Sequence, residues 1–185
     1  GSQTIVYKNN SPHRLRYLWV QLDQNRFADG SIARMTETAG TSGSRRESGS
    51  SSDRLSFTAL ARQNALNDRD HGFKIEAVLD RRGRELAFTV VDSHMRVDLP
   101  QPLRSGESFE FDIDWSSNII DESVIGGRGG YECFPVNEAP DQQTDDCIFF
   151  LAQWFPRMTA FSDYEGWHNK AFLGRGEFTL EFGDY

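Results

Sequence analysis

The stretch ESFEFDIDW, residues Glu107 to Trp115, decides the fold class. Phe109, Phe111, Ile113 and Trp115 fall on one side of a pleated strand. Ser108, Glu110, Asp112 and Asp114 fall on the other. Successive side chains of an extended chain point to opposite faces, so this is a strand with one wet side. The same period of two recurs on either side of it. FKIEAVL (73–79) aligns Phe73, Ile75, Ala77 and Leu79, and HMRVDL (94–99) aligns Met95, Val97 and Leu99. EFTLEF (177–182) aligns Phe178, Leu180 and Phe182. LRYLWVQL (15–22) and CIFFLAQWF (147–155) are apolar on both faces, which predicts central or covered strands.

The turns fit an antiparallel meander. In DRRG (80–83), Gly83 supplies a positive φ between two strands. In LPQPLRSGE (99–107), Pro100 and Pro102 are expected to end one strand and Gly106 to open the next. Together these signals predict an all-β domain, an antiparallel sandwich or a large curved sheet. Three segments depart from the pattern. Residues 38–53 hold six Ser and three Gly, cannot bury anything, and read as a long Ser/Gly-rich loop. SSDRLSFTALARQNAL (51–66) puts Leu55, Ala59 and Leu66 near helical spacing, with Ser51 or Ser52 as a cap, and predicts one short helix. Residues 118–146 read as a long irregular stretch, and no internal repeat is present.

Length and composition bound the partners. A chain of 185 residues is one domain with room for a core, here residues 3–185, with Gly1-Ser2 read as an expression remnant. Its 14 Phe fit a sheet protein. A net charge of -8 repels phosphate backbones and anionic lipid, so neither nucleic acid nor membrane is an expected partner. The compartment is not readable. Two cysteines, Cys133 and Cys147, are too few for a disulfide scaffold or a four-ligand zinc site. They either pair across a short loop or pack apart as small hydrophobes.

Candidate chemistry is sparse. His13, His71, His94 and His168 are scattered, without the H-E-x-x-H spacing of a zinc helix, and His94 is expected on a polar strand face. Asp141, Asp145 and Asp146 lack the calcium-loop pattern, and GGRGG (126–130) is neither a nucleotide fingerprint nor followed by a helix pattern. No serine stands in a G-x-S-x-G elbow. Trp115, Trp154, Trp167 and Tyr131 are candidates for a sugar-stacking platform; Trp115 belongs to a core face, while Trp167 stays free in a loop. Gln153 is the exception. On a regular pleat it aligns with Cys147, Phe149, Leu151 and Phe155, and an unpaired buried amide costs about 1–3 kcal/mol. It therefore meets neighbouring backbone or faces a polar pocket.

Four stretches, NNSPHRLRYLWVQLDQNRF (9–27), LAQWFPRM (151–158), DYEGWHNKAFLGRGEF (163–178) and FGDY (182–185), together resemble the amino-terminal domain of aminopeptidase N-like zinc metallopeptidases, in particular a bacterial branch. The likeness runs from Val6 to Tyr185, with the Ser-rich segment variable. It implies a saddle-shaped all-β first domain, truncated here, followed by a thermolysin-like catalytic domain. That second domain would carry H-E-x-x-H, a distant glutamate ligand and a G-x-M-E-N strand. Zinc would then belong to the parent enzyme, and the fragment would hold no cofactor and no catalytic residue. The expected partners are the parent's own catalytic domain and a peptide substrate. The resemblance assigns Gln153 to substrate binding, as a glutamine lent to the active site. Many relatives carry an amine-binding glutamate two residues later; here Phe155 stands there, and a phenyl ring cannot neutralise an ammonium. The alternative is a stand-alone β-sandwich module binding carbohydrate or protein.

Overall fold

The structure is a computed structural model and describes residues 1–36, 57–127, 129–137 and 143–171. In chain order its strands are β1 (Ser2–Lys8), β2 (Leu15–Gln21), β3 (Lys74–Asp80), β4 (Phe88–Val91), β5 (His94–Leu103), β6 (Ser108–Ser116), β7 (Gly130–Asn137), β8 (Gln143–Phe150), β9 (Arg157–Met158), β10 (Phe161–Ser162) and β11 (Gly166–Trp167). The helices are α1 (Ile32–Thr36), α2 (Phe57–Asp68) and α3 (Glu122–Ile125), with a 3-10 turn at Asp23–Phe27. The chain is mostly β, in several antiparallel sheets. One sheet has the order β1-β6-β3 and a second the order β4-β5-β2-β9; β7-β8 and β10-β11 are two-stranded.

The ESFEFDIDW stretch becomes β6, the middle strand of the first sheet, with Asp112 opposite both Thr4 and Leu79. Phe111 and Ile113 are fully buried and Trp115 nearly so. They share one core cluster with Leu18, Val20, Met95 and Val97 of the second sheet. Each such side chain contributes about 1.5–3 kcal/mol by leaving water. The expected strand LRYLWVQL is β2, flanked by β5 and β9, and covered as its two-sided apolar pattern requires.

Several expectations are corrected. The alternation in β3 breaks between Ile75 and Ala77, where the register shifts. The extra residue of a β-bulge moves every later side chain to the other face. Val78 and Asp80 therefore face inward, opposite Ile113 and Phe111, and Ala77 and Leu79 do not. Asp80 tolerates this position because its carboxylate accepts from the backbone N–H groups of Arg82 (2.8 Å) and Arg84 (3.0 Å) and pairs with the Arg84 guanidinium. These bonds, led by the one from the Arg84 side chain, hold it below the usual carboxylate range. Pro100 and Pro102 do not end β5, which runs on to Leu103. The β2–β5 register jumps from Tyr17↔Asp98 to Leu15↔Leu103, so both prolines lie where the ladder is interrupted and no N–H is needed. His94 is buried, not on a wet face, because it begins an interior strand paired on both sides, with Gln21 and Val91.

The helix predicted over 51–66 is α2, whose first described residue is Phe57; Leu66 is buried on it and Ala59 half-buried. Its predicted caps and Leu55 lie outside the described residues, as do the Ser/Gly-rich loop and the EFTLEF strand. Residues 118–146 are not irregular throughout: they contain α3, β7 and the start of β8. Glu132 and Pro135 interrupt the apolar alternation of β7, which hid it in the sequence. CIFFLAQWF is the largest departure. Its strand stops at Phe150 and pairs with β7, and Ile148, Phe149 and Phe150 are 60–67% exposed.

Candidate functional site

The segment that carries Gln153 is built from three anchors. Where β2 ends, the chain tightens into the 3-10 turn at Asp23–Phe27, and Leu22 N–H donates to the Ser93 carbonyl at 2.8 Å. This turn aims Gln24 outward. Its Nε2 donates to the carbonyls of Ala152 (3.2 Å) and Gln153 (3.1 Å). Next to it, Asp23 is buried at 1% exposure, accepting from Gln21 Nε2 at 2.5 Å and from Arg157 Nε at 2.8 Å. Burial pushes the Asp23 carboxyl up, while Arg157 and the hydrogen bonds from Gln21 and Arg157 pull it down. The third anchor is Gln3, whose Nε2 donates to the Pro156 carbonyl at 2.7 Å. Beyond it, β9 joins β2 through Gln21↔Arg157 and Val20↔Met158.

Held this way, Gln153 is not a strand residue. Its φ is +54°, in the left-handed region, and it lies half-buried in a bend. The expected alignment with Cys147, Phe149, Leu151 and Phe155 on one pleat is absent because the strand ends at Phe150. Two recesses lie beside this segment, and Gln153 lines neither of them. One, of about 250 Å³, is bordered by Gln24, Trp115, Ala152 and Trp154. The other, of about 1210 Å³, runs along β1 and past Trp154, Phe155 and Arg157. Trp154, 46% exposed, borders both and packs on Trp115 at 6.1 Å and Phe155 at 5.5 Å.

The other candidates are dispersed. Trp115 is core, as expected. Trp167 is not free: it pairs in β11 and packs on Tyr7 (5.8 Å) and Phe161 (5.1 Å). Tyr131 packs on Phe149 at 6.0 Å. His71 is buried with Nε2 3.3 Å from the Ala65 carbonyl. His13 sits edge-on to Phe161 at 6.3 Å. His168 Nε2 is 2.8 Å from Ser162 Oγ. The Glu165 carboxylate lies 3.9 Å from that same nitrogen, so it does not orient the ring from Nδ1, and the pair closes the β10–β11 turn. Asp146 is exposed on β8, opposite Phe134; Asp141 lies outside the described residues. Gly126 caps α3 with φ +72°. Cys133 and Cys147 stand directly opposite each other and form a disulfide. Among the described residues no three His, Cys, Asp or Glu side chains gather in a metal-binding group, and no helix is long and apolar enough to cross a membrane.

The site signals missed in the sequence were Gln24, Asp23 and Gln3. Each acts on residues more than 120 positions away, so no local spacing could have shown it. No family model, curated protein or solved structure matches this chain.

Proposed function

We propose that this chain is the non-catalytic amino-terminal β-domain of a zinc aminopeptidase-like enzyme, forming one wall of its peptide cleft. What carries the reading is the resemblance of four stretches in order, among them LAQWFPRM, GRGEF and FGDY. The two larger sheets over one core are read as the saddle-like sandwich of that domain. Gln153 positions the peptide substrate. What favours this role is a held backbone: Gln24, Arg157 and Gln3 restrain the chain at and after Gln153. Phe155 packs against the main core, so any partner for the substrate ammonium lies elsewhere. In this reading zinc would be held by the parent's catalytic domain and would supply the hydrolytic chemistry there, while this chain's own part is to position the peptide.

Two observations test the reading. The native reading frame should encode H-E-x-x-H within roughly 100–200 residues downstream. In the full-length enzyme, Gln153→Ala should lower kcat/KM about tenfold, the worth of one polar contact of ~1.5 kcal/mol. An unchanged kcat/KM removes Gln153 from the site. Stoichiometric zinc bound to the isolated chain would contradict the assignment of zinc to the other domain. The exposed face of Trp154 on the larger groove favours the second reading, a stand-alone binding module. That reading requires a reading frame without the zinc motif.

A further inference from the structure

We propose that the Cys133–Cys147 bond is a redox-cleavable clasp on the β7–β8 hairpin. The two cysteines face each other across the two strands, and both are exposed. Among the described residues β7 and β8 pair in a sheet only with each other. The hairpin is tied to the body at its base, where Tyr131 N–H donates to the Ile120 carbonyl at 2.9 Å and Tyr131 bridges Asp121. Phe149 and Phe150 at this base, and Glu132 to Phe134 and Asp146 to Ile148 beyond it, are all exposed. A two-stranded hairpin is marginal in water by itself. A covalent bond across it, closing a loop with sequence separation 14, removes open conformations that it would otherwise sample.

Exposure lets a dithiol reductant reach the bond. One thiolate of the reductant attacks a cysteine sulfur and expels the other cysteine as thiolate, leaving a mixed disulfide. The reductant's second thiolate then displaces the remaining cysteine. Two electrons pass to the chain, both cysteines take up a proton, and the reductant leaves as its own disulfide. Cleavage loosens β8, which leads through Leu151 and Ala152 straight into the Gln153 bend. The inference rests on the hairpin alone and not on the peptide-binding reading.

The test treats the folded chain with dithiothreitol without denaturant and follows two readouts, thiol labelling by mass and amide hydrogen exchange. Two labels should appear. Exchange at residues 131–134 and 146–150 should rise tenfold or more, while β2, β5 and β6 stay protected. Reoxidation should restore the slow rates, and a Cys133→Ser, Cys147→Ser chain should exchange like the reduced one. A bond that resists dithiothreitol in the folded chain overturns the proposal. So does reduction that leaves hairpin exchange unchanged, or that speeds β2, β5 and β6 equally. If the double variant does not fold, the reduced chain carries the same test. None of these readouts involves peptide, so a failure here is separate from a failure of Gln153→Ala.

Discussion

His94 shows how one buried ring ties stability to pH. It is 3% exposed, packs edge-on to Trp19 at 6.3 Å, and its Nδ1 lies 3.3 Å from Ser93 Oγ. Burial lowers its pKa from 6.5 to about 4, opposed by the charge of Asp92. Between those values the unfolded ring binds a proton and the folded ring does not. Stability is therefore full above pH 6.5 and is lost as pH falls toward 4, by about 3 kcal/mol in all. Asp23, whose carboxyl burial raises, contributes the opposite slope, so the clean measurement is a difference. Urea unfolding of the native chain and of His94→Gln at pH 7 and pH 4.5 should show a smaller acid loss in the variant. Gln153 makes a second case at this scale. A side chain at φ +54° costs ~1 kcal/mol that glycine would not incur. Gln153→Gly should raise the unfolding midpoint slightly, read by urea or thermal unfolding.

Elements differ in how firmly they are specified. β6 is paired on both sides and buries Phe111 completely, so Phe111→Ala should cost about 3–5 kcal/mol, seen as a lower denaturant midpoint. β3 obeys the same alternation only as far as its bulge. The inward placement of Asp80 depends on a shift between Ile75 and Ala77 that no residue type announces. β8 is the opposite of β6: its apolar residues are as many, but its only strand neighbour among the described residues is β7. Apolar composition on both faces predicts cover, and for β8 the described residues do not supply it: Ile148, Phe149 and Phe150 stay exposed.

At the scale of the molecule, the Asp23–Arg157 pair fastens the end of β2 to β9 across 134 positions of sequence. Asp23→Ala would remove the buried carboxylate that pairs with Arg157, itself only 16% exposed, and leave a space at the junction of β2 and β9. The expected cost is about 3 kcal/mol, with loss of order in the 152–158 segment measured by hydrogen exchange. If the bend presents Gln153 to substrate, the same variant in the proposed parent enzyme should raise KM before it lowers folded yield.

The amino-acid sequence by itself determined the β class, β6 and its inward face, the covered β2, the α2 helix and the turn at Gly83. All of these rest on local periodicity or on a conformation that one residue type favours. Only the tertiary structure decided that His94 is buried, that β3 changes face, that the two cysteines meet, and that Gln153 leaves the pleat for a left-handed bend. Those outcomes depend on which distant strand or side chain lies alongside, and contacts such as Gln24 to Gln153 join residues that no window of sequence holds together.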